Sequence, residues 1–177
     1  HRTSRRQRQM CIRDRLIIGS PMCTAFSQLQ NINFAKMRSE DVAKVLEYGK
    51  KHVDFCCHLY RIQVNNGLYF LHEHPQTATS WKLPEVLKVL EMPGVKKVNS
   101  NMCMFGMKQE DDQGEGYIKK PTSYMGNCEK LLTRLEKKCS RDHRHILLLN
   151  GRAKQAQKYP EELCLEILRG LLEHMSD

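Results

Sequence analysis

The sequence of 177 residues lacks any long hydrophobic run. Its longest apolar stretches, 16–19 and 146–149, have the length of buried strands, whereas a helix that spans a bilayer needs roughly 20 apolar residues. The pattern therefore predicts no membrane-spanning segment and no membrane partner. The hydrophobic fraction of 40% and the charged fraction of 28% are typical of one globular domain with a single core.

Cysteine pairs with redox or zinc-ribbon spacing are also missing. The sequence has 8 Cys, but none of them form a C-x-x-C motif, and their density is below that of small disulfide-stapled scaffolds. Several lie in apolar segments, where a free thiol behaves as a small hydrophobic side chain. No secretory signal is visible. These features together predict a reducing intracellular compartment, either nucleus or cytoplasm.

Acidic residues are scarce mainly at the N-terminal end. Residues 1–15 contain six Arg and one Asp, so they carry more than half of the formal net charge of +9, and 16–177 keep an excess of +4. The opening run has no hydrophobic period and resembles a translated sequencing adaptor, which predicts a non-native or disordered segment. A basic arm that contacts phosphates is the alternative. The folded domain is therefore predicted at 16–177, and its mild basicity permits nucleic acid as a partner.

Short buried strands alternate with amphipathic helices along the predicted domain. This alternation predicts an α/β fold, with helices packed on the faces of a sheet. The last strands are joined by a short loop, which favours a hairpin over a crossover. The predicted strands are 16–19, 68–71, 95–98, 117–124 and 145–149, and the predicted helices are 39–66, 84–91, 129–138 and 160–174.

Two loops that directly follow predicted strands contain groups suited to covalent catalysis. Cys23 lies in the loop 20–27, and Glu73 begins the loop 73–80. Active groups of α/β sheets gather beyond the carboxyl ends of the strands, so we expect these side chains to line one pocket. A thiolate can add to an electron-poor ring while a carboxyl group donates or holds a proton at a ring nitrogen. A helix N-terminus beside Cys23 would lower the pKa of its thiol.

These loops resemble motifs of the cytosine-C5 DNA methyltransferases. Pro21-Met22-Cys23 with the following Phe26-Ser27 is similar to the nucleophile motif, and Glu73-His74-Pro75 is similar to the Glu-Asn-Val or Glu-Asn-Pro motif. The resemblance covers about 16–172 and is strongest to compact, phage-type members; similar modules occur in mobile-element polyproteins. Further matches follow in the same order at Phe105-Gly106, Lys119-Lys120-Pro121-Thr122, Asn127 and 159–164.

The resemblance implies a DNA cytosine methyltransferase with S-adenosylmethionine as methyl donor. Cys23 would add to C6 of a flipped cytosine, and Glu73 would contact the ring at N3 and the exocyclic amine. Pro21 would shape the nucleophile loop. The implied fold is an incomplete Rossmann-like methyltransferase sheet, mostly parallel with a C-terminal hairpin and flanked by helices. The other implied substrate-binding residues are Ser27, Lys119, Lys120 and Thr122.

The chain departs from the family pattern at three places. Met22 stands where the family has Pro, and His74 stands where it has Asn. The glycine-rich loop that holds S-adenosylmethionine is not found upstream of residue 16, so the cofactor-binding residues are unknown. We therefore expect activity only when an N-terminal half is supplied. The alternative hypothesis is a non-catalytic nucleic-acid-binding or interaction module of a mobile-element polyprotein, in which Cys23 is a buried structural thiol and Glu73 a capping carboxylate.

A C-x3-H-x-H pattern near the C-terminal end offers metal-binding side chains. Cys139, His143 and His145 would supply three zinc ligands. The sequence shows no evident fourth ligand, and both His residues also suit the edge of an apolar strand. No metal is therefore predicted at this position.

Overall fold

The computed structural model describes residues 15–27, 30, 33–148 and 152–176. The predicted N-terminal segment lies outside the described residues except for Arg15. The strands are β1 (Leu16–Gly19), β2 (Tyr69–Pro75), β3 (Lys96–Asn101), β4 (Lys108–Asp111), β5 (Gly114–Tyr117) and β6 (Pro121–Gly126). The helices are α1 (Ser39–Asn65), α2 (Pro84–Leu90), α3 (Glu129–Leu135), α4 (Arg152–Gln155) and α5 (Glu161–Met175).

Four strands form the main sheet in the order β1–β2–β6–β3, and β4 and β5 form a separate hairpin. β1 and β2 are parallel, with Gly19 opposite His72. β6 runs antiparallel to both of its neighbours, β2 and β3, so β1, β2 and β3 share one direction. The α/β prediction is confirmed, but the prediction of a mostly parallel sheet is wrong, because among the described strands of this sheet only the β1–β2 pair is parallel.

The reversed direction of β6 follows from the segment that leads into it. A strand that returns parallel needs a long crossover, usually a helix on one face of the sheet. α1 provides such a crossover between β1 and β2. The fully described segment 102–120 contains only a 3₁₀ turn (Met102–Phe105) and the β4–β5 hairpin. Without a helix in this segment, β6 returns antiparallel to β3.

Helices cover both faces of the main sheet and divide the core into two parts. Phe70 faces α1 and α2, whereas the next residue, Leu71, faces α3 and α5, because successive side chains of a strand point to opposite faces. Both side chains are fully buried. The apolar sequence at the start of β2 is therefore typical of a central strand that is covered on both faces.

The element predictions hold in type, with two exceptions. Helix α1 begins at Ser39 as expected, with Arg38 at the N-cap, and it ends shortly before Gly67, whose φ is 66°. The predicted strand 117–124 is two strands, β5 and β6, interrupted at Lys120. The predicted strand 145–149 is wrong in its described part, which has one isolated bridge between His145 and Tyr117. None of the described helices is long and apolar enough to cross a membrane.

Candidate functional site

A cleft of about 460 Å³ opens at the carboxyl ends of β1 and β2. Because these strands are parallel neighbours, the loop after β1 and the last residues of β2 reach the same edge of the sheet. The structure thereby brings together four residues that the sequence singled out: Pro21, Cys23, Glu73 and Lys120.

Glu73 lies inside β2, not in a loop after it, because the strand continues to Pro75. Its side chain is 6% exposed. Glu73 Oε2 accepts hydrogen bonds from Ser20 Oγ at 2.6 Å and from the Tyr159 hydroxyl at 3.3 Å. Oε1 has no hydrogen-bond partner among the described residues, and Lys120 Nζ lies 3.8 Å from it. Since a buried acceptor without a donor is costly, this oxygen suits an N–H group of a ligand in the cleft.

Lys120 is held beside Glu73 by its backbone and by its side chain. Its φ is 29°, on the left-handed side that residues with a Cβ rarely adopt. Its Nζ donates to the carbonyl oxygen of Ala156 at 3.1 Å. The hydroxyl of Thr122, a fully buried residue of β6, donates to the carbonyl oxygen of Lys120 at 3.1 Å. Thr122 therefore supports Lys120 and does not itself line the cleft.

Cys23 is half-buried, directly before the 3₁₀ turn Thr24–Phe26. Burial raises the pKa of its thiol, the Glu73 carboxylate raises that pKa further, and Lys120 opposes the shift. The predicted lowering of this pKa is wrong, because a single 3₁₀ turn aligns too few peptide dipoles to offset burial. The Cys23 thiol is therefore neutral at pH 7 and becomes nucleophilic only when its surroundings change.

The charges around Cys23 lead to opposite expectations for two variants. Only the thiolate is alkylated, so Glu73→Gln should speed the reaction of Cys23 with iodoacetamide a few-fold, and Lys120→Gln should slow it. The pH profile of the rate should move to lower pH in the first variant and to higher pH in the second. Mass spectrometry of the Cys23 peptide between about pH 6 and 10 measures this, with exposed Cys164 as internal control. Shifts in the same direction would contradict the expectation.

Two buried histidines flank Glu73 in β2. The Tyr60 hydroxyl and His72 Nδ1 share a 2.9 Å hydrogen bond, and burial, with His74 adding to it, lowers the pKa of His72 to about 3. Ser80 Oγ lies 2.5 Å from His74 Nδ1, and burial lowers the pKa of His74 to about 4. Both rings are therefore neutral at pH 7. The sequence does not predict this part of β2 as a strand, because the run His-Glu-His is polar. Its side chains nevertheless alternate between the two faces of the sheet, as those of the apolar start of the strand do.

Two further predicted site residues, Ser27 and Lys119, lie outside the cleft. Ser27 accepts a hydrogen bond from the backbone N–H of Gln30 at 3.3 Å and so stabilises a local turn. Lys119 lines a neighbouring cavity of about 420 Å³, together with Lys138 and Arg141. We call this cavity the basic groove. Its three cations form no ion pair with any residue that the structure describes.

A second group of reactive side chains lies outside the cleft. Cys139, His143 and His145 meet as the C-x3-H-x-H pattern allows, and Cys103 from the 3₁₀ turn Met102–Phe105 joins them. Their ligand atoms all lie within 4.8 Å of one another. The structure thus supplies the fourth ligand that sequence spacing does not reveal, and the four side chains could hold a metal ion.

The cleft therefore combines a thiol, a fixed cation, and a carboxylate oxygen to which no described residue donates a hydrogen bond. These groups can bind a polar heterocycle through an N–H group of the heterocycle and place the Cys23 sulfur next to one of its ring carbon atoms. No protein-family model, curated protein or solved structure matches the chain. The chemistry of the cleft and of the basic groove is thus the ground for assigning a function.

Proposed function

We propose that the cleft binds a flipped cytosine of DNA, and that the domain is a cytosine-C5 DNA methyltransferase-like module. The observation that carries the proposal is the meeting of Cys23 with Glu73 Oε1, a buried carboxylate oxygen without a hydrogen-bond donor among the described residues. Cytosine offers an exocyclic N–H donor, with N3 beside it, and so would complete this acceptor. The cleft volume also falls within the range of about 300–1,000 Å³ of small-molecule sites.

In the proposed reaction the Cys23 thiolate adds to C6 of the ring. The S–C6 bond forms as the C5=C6 double bond opens, and the electron pair moves through C5 and C4 towards N3. The proton that leaves the Cys23 thiol is taken up by Glu73 and passed to N3, where it neutralises this charge. Base binding would also offset the carboxylate charge that raises the pKa of Cys23. Binding of the base and activation of the thiol are therefore coupled.

The basic groove suits the phosphate backbone on either side of a flipped nucleotide. Lys119 lines the groove and its neighbour Lys120 lines the cleft, so one short segment separates the two. Cations that neutralise phosphates release counterions, which makes the affinity fall steeply with salt. Flipping is required because a base within a duplex cannot reach Cys23. DNA is therefore the proposed partner.

The finer fold proposal is a part of a Rossmann-like methyltransferase sheet. Two features support it: β1, β2 and β3 share one direction, and the cleft lies at the carboxyl ends of β1 and β2. In this proposal the antiparallel pair of β3 and β6 takes the place of the expected C-terminal hairpin.

S-adenosylmethionine, the methyl donor that the resemblance implies, does not fit the described residues. Nucleotide sites of open α/β sheets use a glycine-rich turn between a strand and a helix. The loops after β1 and β2, 20–27 and 76–80, contain no glycine. The proposed chemistry of this chain is therefore base binding and thiol addition, without methyl transfer.

The test uses a DNA duplex in which one cytosine is replaced by 5-azacytosine, an analogue that keeps the 4-amino group and has a more electrophilic C6. We expect a covalent protein–DNA species with the summed mass under denaturing conditions. Cys23→Ser should abolish it. Glu73→Gln should slow its formation at least about 100-fold through loss of the proton at N3, although the same variant speeds alkylation.

Cys164→Ser is the matched control for this experiment, because Cys164 is an exposed thiol outside the cleft. The adduct should persist in that variant. An adduct that survives Cys23→Ser, or no adduct with the folded chain, would contradict the proposal. Salt-sensitive DNA binding without any adduct would favour the non-catalytic nucleic-acid-binding module instead.

A further inference from the structure

Four potential metal ligands converge from two segments outside the cleft. Cys139 Sγ lies 3.6 Å from His143 Nε2 and 3.4 Å from His145 Nε2. A tetrahedral zinc ion, with Zn–S of about 2.3 Å and Zn–N of about 2.0 Å, separates sulfur and nitrogen ligands by about 3.5 Å. The two observed distances thus match a shared tetrahedral ion at their centre. Cys103 Sγ completes the group, within 4.8 Å of the other three ligand atoms.

Hydrogen bonds to a neutral thiol would stabilise this arrangement only weakly. The backbone N–H of Arg141 also points at Cys139 Sγ, at 3.3 Å, so that this one sulfur has three nitrogen neighbours. A neutral thiol has a single proton and is a weak hydrogen-bonding group. A divalent cation, in contrast, coordinates two sulfur and two nitrogen ligand atoms at once. The N–H group of Arg141 then stabilises the Cys139 thiolate through a hydrogen bond.

The surroundings of His143 orient its ring for a metal. Asp142 Oδ1 accepts a hydrogen bond from His143 Nδ1 at 2.7 Å. Ser140 Oγ donates to the same Asp142 oxygen at 2.5 Å, so this oxygen acts as an acceptor and His143 Nδ1 holds the proton. His143 Nε2 is therefore left with its lone pair facing Cys139 Sγ. A carboxylate behind a ligating imidazole is the usual outer contact of zinc-bound histidine.

We propose that Cys103, Cys139, His143 and His145 bind one zinc ion. Two thiolates and two neutral imidazoles are the donor set that selects tetrahedral zinc, and four protein ligands leave no position open for a substrate. The ion is therefore structural. The site does not depend on the chemistry proposed for Cys23.

The zinc ion would stabilise a segment that has little regular structure. Among residues 136–148 the structure assigns no helix or strand, only the bridge at His145, and Arg141 has a left-handed φ of 65°. Zinc would cross-link this segment to the 3₁₀ turn that holds the buried Cys103. Lys138 and Arg141, which line the basic groove, lie on either side of Cys139. The ion would therefore also position two cations of the groove.

The metal content of the purified chain tests the proposal. The chain is folded with ZnCl₂ under reducing conditions, dialysed and analysed by mass spectrometry for zinc; we expect about one ion per chain. Cys139→Ser and His145→Ala should lose it. Cys164→Ser and His58→Ala are the matched controls, since both replace exposed side chains outside the cluster, and they should retain zinc.

Cobalt substitution and one milder variant keep the test decisive if a ligand variant fails to fold. Co²⁺ should give the intense visible bands of tetrahedral coordination with a thiolate charge-transfer band. Asp142→Asn should fold and bind zinc roughly 10–100-fold more weakly. A wild-type chain without zinc, an octahedral cobalt spectrum, or zinc retained in Cys139→Ser would overturn the proposal. A Cys103–Cys139 disulfide formed under the reducing conditions would overturn it as well.

Discussion

Replacing Gly170 by Ala is expected to destabilise the fold by about 3 kcal/mol, the upper part of the usual range for an overpacked core. Gly170 lies on α5 where it crosses α3, and a Cβ there would overlap Leu131 Cα and meet Leu131 N at 3.0 Å. Both of these atoms belong to the backbone of α3, so no side-chain rotation relieves the contact, and the helices must move apart.

Helix propensity alone would predict the opposite effect of Gly170→Ala, an increase in stability. In an exposed helix, Ala is favoured over Gly by about 1 kcal/mol. Thermal unfolding followed by circular dichroism measures the result, and the loss should lower the midpoint by roughly 6–12 °C in a domain of this size. Leu168→Ala, at an exposed position of the same helix, is the control and should change the midpoint little. An unchanged or higher midpoint for Gly170→Ala would show that the crossing adjusts at no cost.

Gly19→Ala should destabilise the fold by about 2–3 kcal/mol and disturb the cleft as well. A Cβ at this position would overlap the Tyr60 hydroxyl oxygen. Tyr60 is fully buried, is stacked on Phe70 with ring centroids 4.4 Å apart, and is hydrogen-bonded to His72. The ring therefore cannot swing aside. Gly19 directly precedes Ser20, so a shift of β1 also strains the hydrogen bond between Ser20 and Glu73.

A double-mutant cycle with Tyr60→Phe isolates this contact. Tyr60→Phe alone removes the hydroxyl partner of His72 and should cost about 1–3 kcal/mol. In the double variant the atom nearest to the added methyl group is gone and Tyr60 Cζ, the next nearest, lies 2.8 Å away, so part of the clash is relieved. The loss measured by denaturant unfolding should then be smaller than the sum of the single losses by at least about 1 kcal/mol. If the two losses in stability are additive, the contact with the Tyr60 hydroxyl is not the cause of the destabilisation by Gly19→Ala.

The meeting of Cys23 and Glu73 could be expected from sequence, because it depends on local patterns. Each residue follows a short apolar run, and parallel strands carry their following residues to one edge of a sheet. The family resemblance also predicted Pro21 and Lys120 as site residues, and both line the cleft. It predicted Ser27 and Thr122 as well, but these two form hydrogen bonds with nearby backbone groups. The extension of β2 to Pro75 was missed, since its polar His-Glu-His run hides a buried strand.

The fourth side chain of the proposed zinc site could not be found in the same way. Cys103 reaches Cys139 only because a 3₁₀ turn follows β3 and because Asn101 Oδ1 accepts a hydrogen bond from the Cys139 backbone N–H at 2.9 Å. Neither contact produces a period or a fixed spacing along the chain. A search for C-x-x-C pairs therefore overlooks the cluster.

Hydrophobic period, caps and turn residues act over a few positions, so the α/β class and the approximate helices were readable from the chain alone. Three features depended on folding. The reversed direction of β6 follows from a connection without a crossover helix. The neighbours of Cys103 come from segments distant in sequence. The raised pKa of Cys23 follows from burial and from the charge of Glu73, and both exist only once the loop after β1 packs against β2. Burial, strand order and charge proximity are set by contacts between distant segments, and no local pattern encodes them.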